Sequence, residues 1–144
     1  MAISVIVPQA PSVAKKELIA SSARTSSDNT NDFPVDFFSS AEIVTVVTTC
    51  SGTLDVYVQK LLPDNATYSD LVHFAQYTTA VYTTTGTIIA SFLNSGNSLD
   101  TSTDAALAAD TILTAFFGAH WRIKFVIAGT GATATFGVYG SFRI

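Results

Sequence analysis

Apolar residues recur at every second position through most of this 144-residue chain, the period of a half-buried strand rather than of a helix. Two β-rich runs, Glu42 to Ser51 and Thr53 to Leu62, flank Gly52 and predict an antiparallel hairpin. In the second run Leu54, Val56 and Val58 alternate with Asp55, Tyr57 and Gln59, so Tyr57 is expected on a polar outer face where truncating it costs little. Pro63-Asp64-Asn65-Ala66 has turn chemistry and leads into Leu71 to Gln76, where Val72 and Phe74 alternate with His73 and Ala75, which predicts another hairpin. Thr83 to Leu93 reads as one more strand. Towards the C-terminus Trp121, Ile123, Phe125 and Ile127 alternate with Arg122, Lys124 and Val126. Beyond Gly129-Thr130-Gly131 the alternation resumes with Ala134, Phe136, Val138, Gly140 and Phe142, which predicts a second hairpin with Trp121 and Phe136 in the core.

The remaining segments break this rhythm. Ser102 to Leu113, rich in alanine after Asp104, is the one short helix expected. Lys16 to Ser26 lacks helical periodicity and reads as extended, Asp28 to Asp32 as a loop, and Phe33 to Phe38 as a short piece that Pro34 confines to a sheet edge. Met1 to Ser12 carries no charge: Ile3, Val5 and Val7 alternate like a strand before Pro8 and Pro11 stiffen the chain. That segment is expected to act as an arm which either completes the edge of a neighbouring subunit's sheet or pairs within its own. The fold expected is all-β: a single-domain antiparallel β-sandwich of jelly-roll type over residues 16–144, preceded by an arm and linker over residues 1–15.

Charge narrows the function. With 7 Lys and Arg against 11 Asp and Glu, a net charge of −4 argues against a nucleic-acid partner, since that affinity needs many cations set against phosphates. No apolar run nears the roughly 20 residues that span a bilayer, so no membrane partner is expected. Lys15 and Lys16 follow the apolar N-terminus instead of preceding it, which reverses the order of a secretory signal, and the chain is read as soluble and unprocessed. The mean hydropathy is nevertheless +0.38. Twenty Thr and 15 Ser point to a surface kept wet by hydroxyls, which are cheaper to bury in an assembly than ions. No Asp, Glu, Lys or Arg occurs from Leu71 to Leu99 or from Phe125 to Phe142, the depletion found at interface centres.

Candidate chemistry is sparse. His73 and His120 have no partner at metal-ligand spacing, Gly-x-Ser-x-Gly is absent, and Cys50 has no basic residue near it in sequence. Asp28-x-Thr30-x-Asp32 begins like a calcium loop but lacks the glycine and glutamate that complete one. No catalytic set, metal or cofactor is expected. The tyrosines Tyr57, Tyr77, Tyr82 and Tyr139 allow a sugar-stacking platform as an alternative. The residues expected at protein interfaces are Ile3, Val5 and Val7 of the arm and the apolar patches with Phe33, Phe37, Phe38, Phe116 and Phe117.

Thr53-Leu54-Asp55-Val56-Tyr57-Val58-Gln59, Pro63-Asp64, Tyr68 to Phe74, Trp121-Arg122-Ile123-Lys124 and Ala134-Thr135-Phe136-Gly137-Val138 resemble small β-sandwich proteins of tailed bacteriophage virions, the head decoration or cement proteins among them. The resemblance spans about the last two thirds of the chain. Where that pattern has a Gly-Gly turn and a tryptophan, this chain has Asn65-Ala66 and Tyr68. The resemblance implies a structural protein on the capsid exterior, a homo-oligomer such as a trimer, whose partner is the major capsid protein. The alternatives are a neck, tail or fibre component and a carbohydrate-binding appendage.

Overall fold

A computed structural model describes residues 13–78, 86–93, 104–113 and 117–144. The arm residues Ile3, Val5 and Val7, together with Phe116 and Tyr82, lie outside the described residues. Among the described residues nine strands form one antiparallel sheet: β1 (Val13–Arg24), β2 (Asp28–Asn29), β3 (Phe33–Pro34), β4 (Ser40–Leu61), β5 (Tyr68–His73), β6 (Tyr77–Thr78), β7 (Gly86–Leu93), β8 (Thr111–Ile112) and β9 (His120–Arg143). β1 already begins at Val13, inside the stretch expected to be linker. Pro34 sits on a two-residue edge strand, as its missing N–H requires.

The hairpin expected across Pro63 to Ala66 forms, as the C-terminal part of β4 against β5, but those expected at Gly52 and at Gly129 to Gly131 do not. The two runs flanking Gly52 are one 22-residue strand, β4, and the two flanking Gly129 to Gly131 are one 24-residue strand, β9. These long strands pair with each other along their whole length, Ser40–Ser51 against Thr133–Arg143 and Thr53–Lys60 against Trp121–Ala128. Between the two stretches β4 contributes only Gly52, whereas β9 contributes four residues, 129–132. A ribbon with unequal lengths at one point must bend there. Gly52, Gly129 and Gly131 supply the bend with φ of +79°, +116° and +64°, values that side chains other than glycine rarely take.

The bend folds the sheet onto itself. Phe125 and Phe136 lie on one strand and would stand about 36 Å apart if it were straight, yet their ring centroids are 5.1 Å apart and edge to face. Trp121 and Phe142 meet in the same way at 5.8 Å. The first half of the folded sheet consists of β1, the C-terminal part of β9, the N-terminal part of β4, and β7; the other strands make up the second half. Ile43, Val47, Phe136, Val138 and Phe142 of one half face Leu54, Val56, Val58, Trp121, Ile123 and Phe125 of the other, all of them buried. The Arg24 guanidinium, over the rings of Phe125 and Phe136, caps one margin of this core.

Gly52 also packs where no side chain fits, because a Cβ there would lie 2.4 Å from the Ala128 carbonyl oxygen and 2.7 Å from Ala132 Cβ. Gly52→Ala is therefore expected to destabilise the fold by about 1–3 kcal/mol, the range for overpacking, and urea denaturation should show it as a lower midpoint. Trp121→Ala and Phe136→Ala, at fully buried positions, should each cost about 3–5 kcal/mol in the same measurement.

Candidate functional site

The densest polar chemistry lies on the outer face of the second half of the sheet, where register builds it row by row. Asp70, Gln59 and Arg122 are cross-strand neighbours on β5, β4 and β9, and His73, Tyr57 and Lys124 form the adjacent row. Asp70 and His73 are an odd number of residues apart and would face opposite sides of a regular strand. A register shift between Val58 and Gln59 places one extra residue on β5 and brings both to the same face.

Residues 104–113 cross this face as a strap. Alanine content predicts a helix here, but the described part holds only turns, bends and the two-residue β8. Ala105 and Asp110 have φ near +60°, outside the helical region, and the sheet takes the backbone groups a helix would use internally. Asp70 accepts from Ala105 N at 3.0 Å, from Leu107 N at 2.9 Å and from Gln59 Nε2 at 2.7 Å. Leu107 O accepts from His73 Nδ1 at 2.7 Å. At the far end Leu113 N donates to Leu71 O, beside the pairing of β8 with Val72 and His73.

Asp104 joins the rows from above. Its carboxylate accepts from Gln59 Nε2 at 2.7 Å and Lys124 Nζ at 2.8 Å, while Arg122 Nη2 approaches at 3.4 Å. Arg122 also donates to Gln59 Oε1 and lies flat over the Tyr68 ring, 3.4 Å from its centroid. Tyr68 donates to Asp32, so that carboxylate too is engaged away from its expected loop. Tyr57 lies on the outer face as its phase requires, but the strap buries it to 6% exposure, and it stacks on His73 at 4.0 Å. Truncating Tyr57 thus removes a covered ring, contrary to the small cost expected of a solvated one.

The network consumes its own reactive groups. Leu107 O can only accept, so His73 Nδ1 donates to it, and Nε2 meets Asp55 Oδ1 at 2.8 Å. Asp55 also accepts from Gln76. Burial, then the carboxylates of Asp55, Asp70 and Asp104, push the Tyr57 phenol up to about 12. Burial likewise raises the Cys50 thiol, which faces the Tyr77 and Gly52 carbonyls. Among the described residues no three His, Cys, Asp or Glu side chains gather as a metal site.

The expected interface residues divide. Phe33 and Phe117 belong to the chain's own core, where both rings pack edge-on against Trp121, and this removes them from any surface a partner could reach. Phe38 is half-buried against Phe142. Phe37 stands out, 72% exposed, and the C-terminal Ile144 is 65% exposed. Both lie at one end of the folded sheet, since Ser39 N donates to Arg143 O and Arg143 pairs with Val13. Val13, the first described residue, lies at this same end. Of the tyrosines, Tyr57 and Tyr77 are buried and Tyr139 is half-buried along the sheet, so they form no open stacking platform.

Sequence reasoning missed the strap network because it needs three non-adjacent strands and a bulge. One signal was present: Gln59 and Asp55 in a strand otherwise suited to burial, two positions either side of Tyr57. No family model, no curated protein and no solved structure matches the chain.

The Asp104 carboxyl gives the strap a pH signature. Burial pushes its pKa up, but hydrogen bonds from Lys124 and Gln59 and the charges of Lys124 and Arg122 outweigh burial and hold it below the ordinary 3.8. A depressed native pKa contributes stability that is present above the unfolded value and is lost as pH falls through the native one. The stability gap between the wild type and Asp104→Asn should therefore be widest near neutrality and close on acidification below 3.8. Asp70→Ala, which strands three donors, is expected to cost on the order of 3 kcal/mol, and amide exchange should accelerate at Ala105 and Leu107.

Proposed function

We propose that the chain is a non-enzymatic structural protein of a tailed bacteriophage virion, one that binds the outside of the capsid and links neighbouring subunits of the major capsid protein. The observation that carries this reading is the position of two of the three large apolar side chains exposed among the described residues, the third being Ile112 on the strap. Phe37 and Ile144 stand together at the sheet end from which the uncharged N-terminal segment departs, so side-chain surface and arm present one contact region. The strap network supports the non-enzymatic part, because its histidine, carboxylates and tyrosine are spent on one another.

The same proposal treats the folded sheet as a two-layer β-sandwich of jelly-roll type. In support, the β4–β9 ribbon runs through both halves and buries aromatic rings of the same strand against each other. The chain acts as a closed homo-oligomer, in the trimer that the resemblance implies, since closed symmetry buries an apolar end on every copy.

Light scattering on the purified protein should give a closed oligomer, and protein added to particles that lack it should increase their mass at regular positions on the head. Phe37→Ser, at an exposed site and hence without harm to the fold, should weaken that binding. Binding confined to the neck, tail or fibres would move the protein to that part of the virion. A strict monomer that binds no particle, or one that melts higher only with added sugar, would overturn the reading.

A further inference from the structure

The edges of the folded sheet differ in how well they are guarded. Unpaired strand edges invite another chain, and proteins blunt them with charge, proline, bulges or brevity. β1 carries Lys15, Lys16, Glu17 and Arg24 and shifts register twice against β9. β2, β3, β6 and β8 are two residues long, and β3 ends in Pro34. β7 has none of these devices. Its eight residues, Gly-Thr-Ile-Ile-Ala-Ser-Phe-Leu, pair with β4 in unbroken register from Gly86 to Leu93, and among the described residues its other edge has no strand beside it.

We propose that the edge of β7 receives the N-terminal segment of a second copy of this chain, with Ile3 to Val7 adding an antiparallel strand. Both segments are free of charge and apolar in both alternating phases, so their pairing places no ion beside an apolar neighbour. The same segment turned back on its own β1 would lie along Lys15, Lys16 and Glu17.

Geometry decides whose arm it is. Val13, Arg143, Ser40 and Leu93 form one row across β1, β9, β4 and β7. A strand beyond β7 lies four spacings from Val13, about 19 Å, and pairing Ile3 to Val7 antiparallel to β7 sets Val7 at least four residues, about 13 Å, up from that row. The separation is about 23 Å before any detour around the sheet, whereas the six steps from Val7 to Val13, stiffened by Pro8 and Pro11, reach about 19 Å at the polyproline rise. A chain's own arm could join β7 only in parallel, in a sheet whose every described pair is antiparallel. A neighbour's arm has no such limit, and passing an arm from each copy to the next closes a ring.

This inference rests on the oligomeric part of the proposed function, and crosslinking separates the two. With Cys50→Ser as background, Ser4→Cys or Val5→Cys is placed in one tagged chain. Thr87→Cys, Ile89→Cys or Ser91→Cys is placed in a co-expressed chain with a different tag; these are register partners of Val46, Val44 and Glu42, which lie outside the core. Mild oxidation should link the two tags in at least one pairing, and deleting Met1 to Val7 from both chains should reduce the oligomer to monomer mass without changing the far-ultraviolet spectrum. A disulfide formed within doubly substituted single chains, to β7 or to Lys16→Cys on β1, would overturn the proposal. So would an oligomer that persists without the arm, although the oligomeric reading would then stand. A chain that is monomeric with its arm intact would overturn both.

Discussion

The pairing of β4 with β9, continued across a bend at Gly52, is the constraint on which the rest of the structure depends. Two strands of more than 20 residues cannot both stay flat and bury their apolar faces, because a single sheet leaves one whole face to water. Bending the ribbon at one point brings the rings of Trp121 and Phe125 to those of Phe142 and Phe136. The bend is possible because Gly52 admits the Ala128 carbonyl where any side chain would collide. The inward apolar phase changes as well: in β9 it passes from Trp121, Ile123 and Phe125 to Ala134, Phe136, Val138 and Phe142 across the bend, whereas in β4 it passes from Ala41, Ile43 and Val47 to Cys50, Leu54 and Val56 at the register shift between Val47 and Thr49.

Once the core is enclosed, the outer face of the second half is free to carry polar chemistry, and five of the chain's 18 charged side chains gather there. Asp55, Asp70, Asp104, Arg122 and Lys124 form one network with Gln59, Tyr57 and His73. Desolvating that many charges is unfavourable unless each is paired and hydrogen-bonded. The strap meets the condition with its own backbone, Ala105 N and Leu107 N to Asp70 and Leu107 O to His73. Such a network holds one arrangement of a loop that apolar contacts alone would leave free to slide.

The exposed Phe37 and Ile144 lie at the same end of the molecule as Val13, and among the described residues β7 has no strand at its outer edge. In a free monomer each of these would favour association with the wrong chain. In the symmetric assembly proposed above, copies of the chain would cover them for one another.

The sequence by itself determined the all-β class, the inward phase of Leu54, Val56, Val58, Trp121 and Phe136, the turn at Pro63 and the edge position of Pro34, because alternation, proline geometry and turn chemistry act within a few residues. Tertiary structure alone decided which run pairs with which. Around Gly52 and Gly129 a local pattern is compatible with a hairpin or with a bent strand, and the choice falls to the partner strand 80 residues away. It also decided the strap, where backbone groups that alanine-rich sequence would spend on a helix are claimed by Asp70 and His73 across a β-bulge. Phe33 and Phe117, apolar and near turns, became core instead of surface because Trp121 presents its ring to both. Burial depends on what the folded chain brings alongside a residue, and no window of neighbouring sequence contains that information.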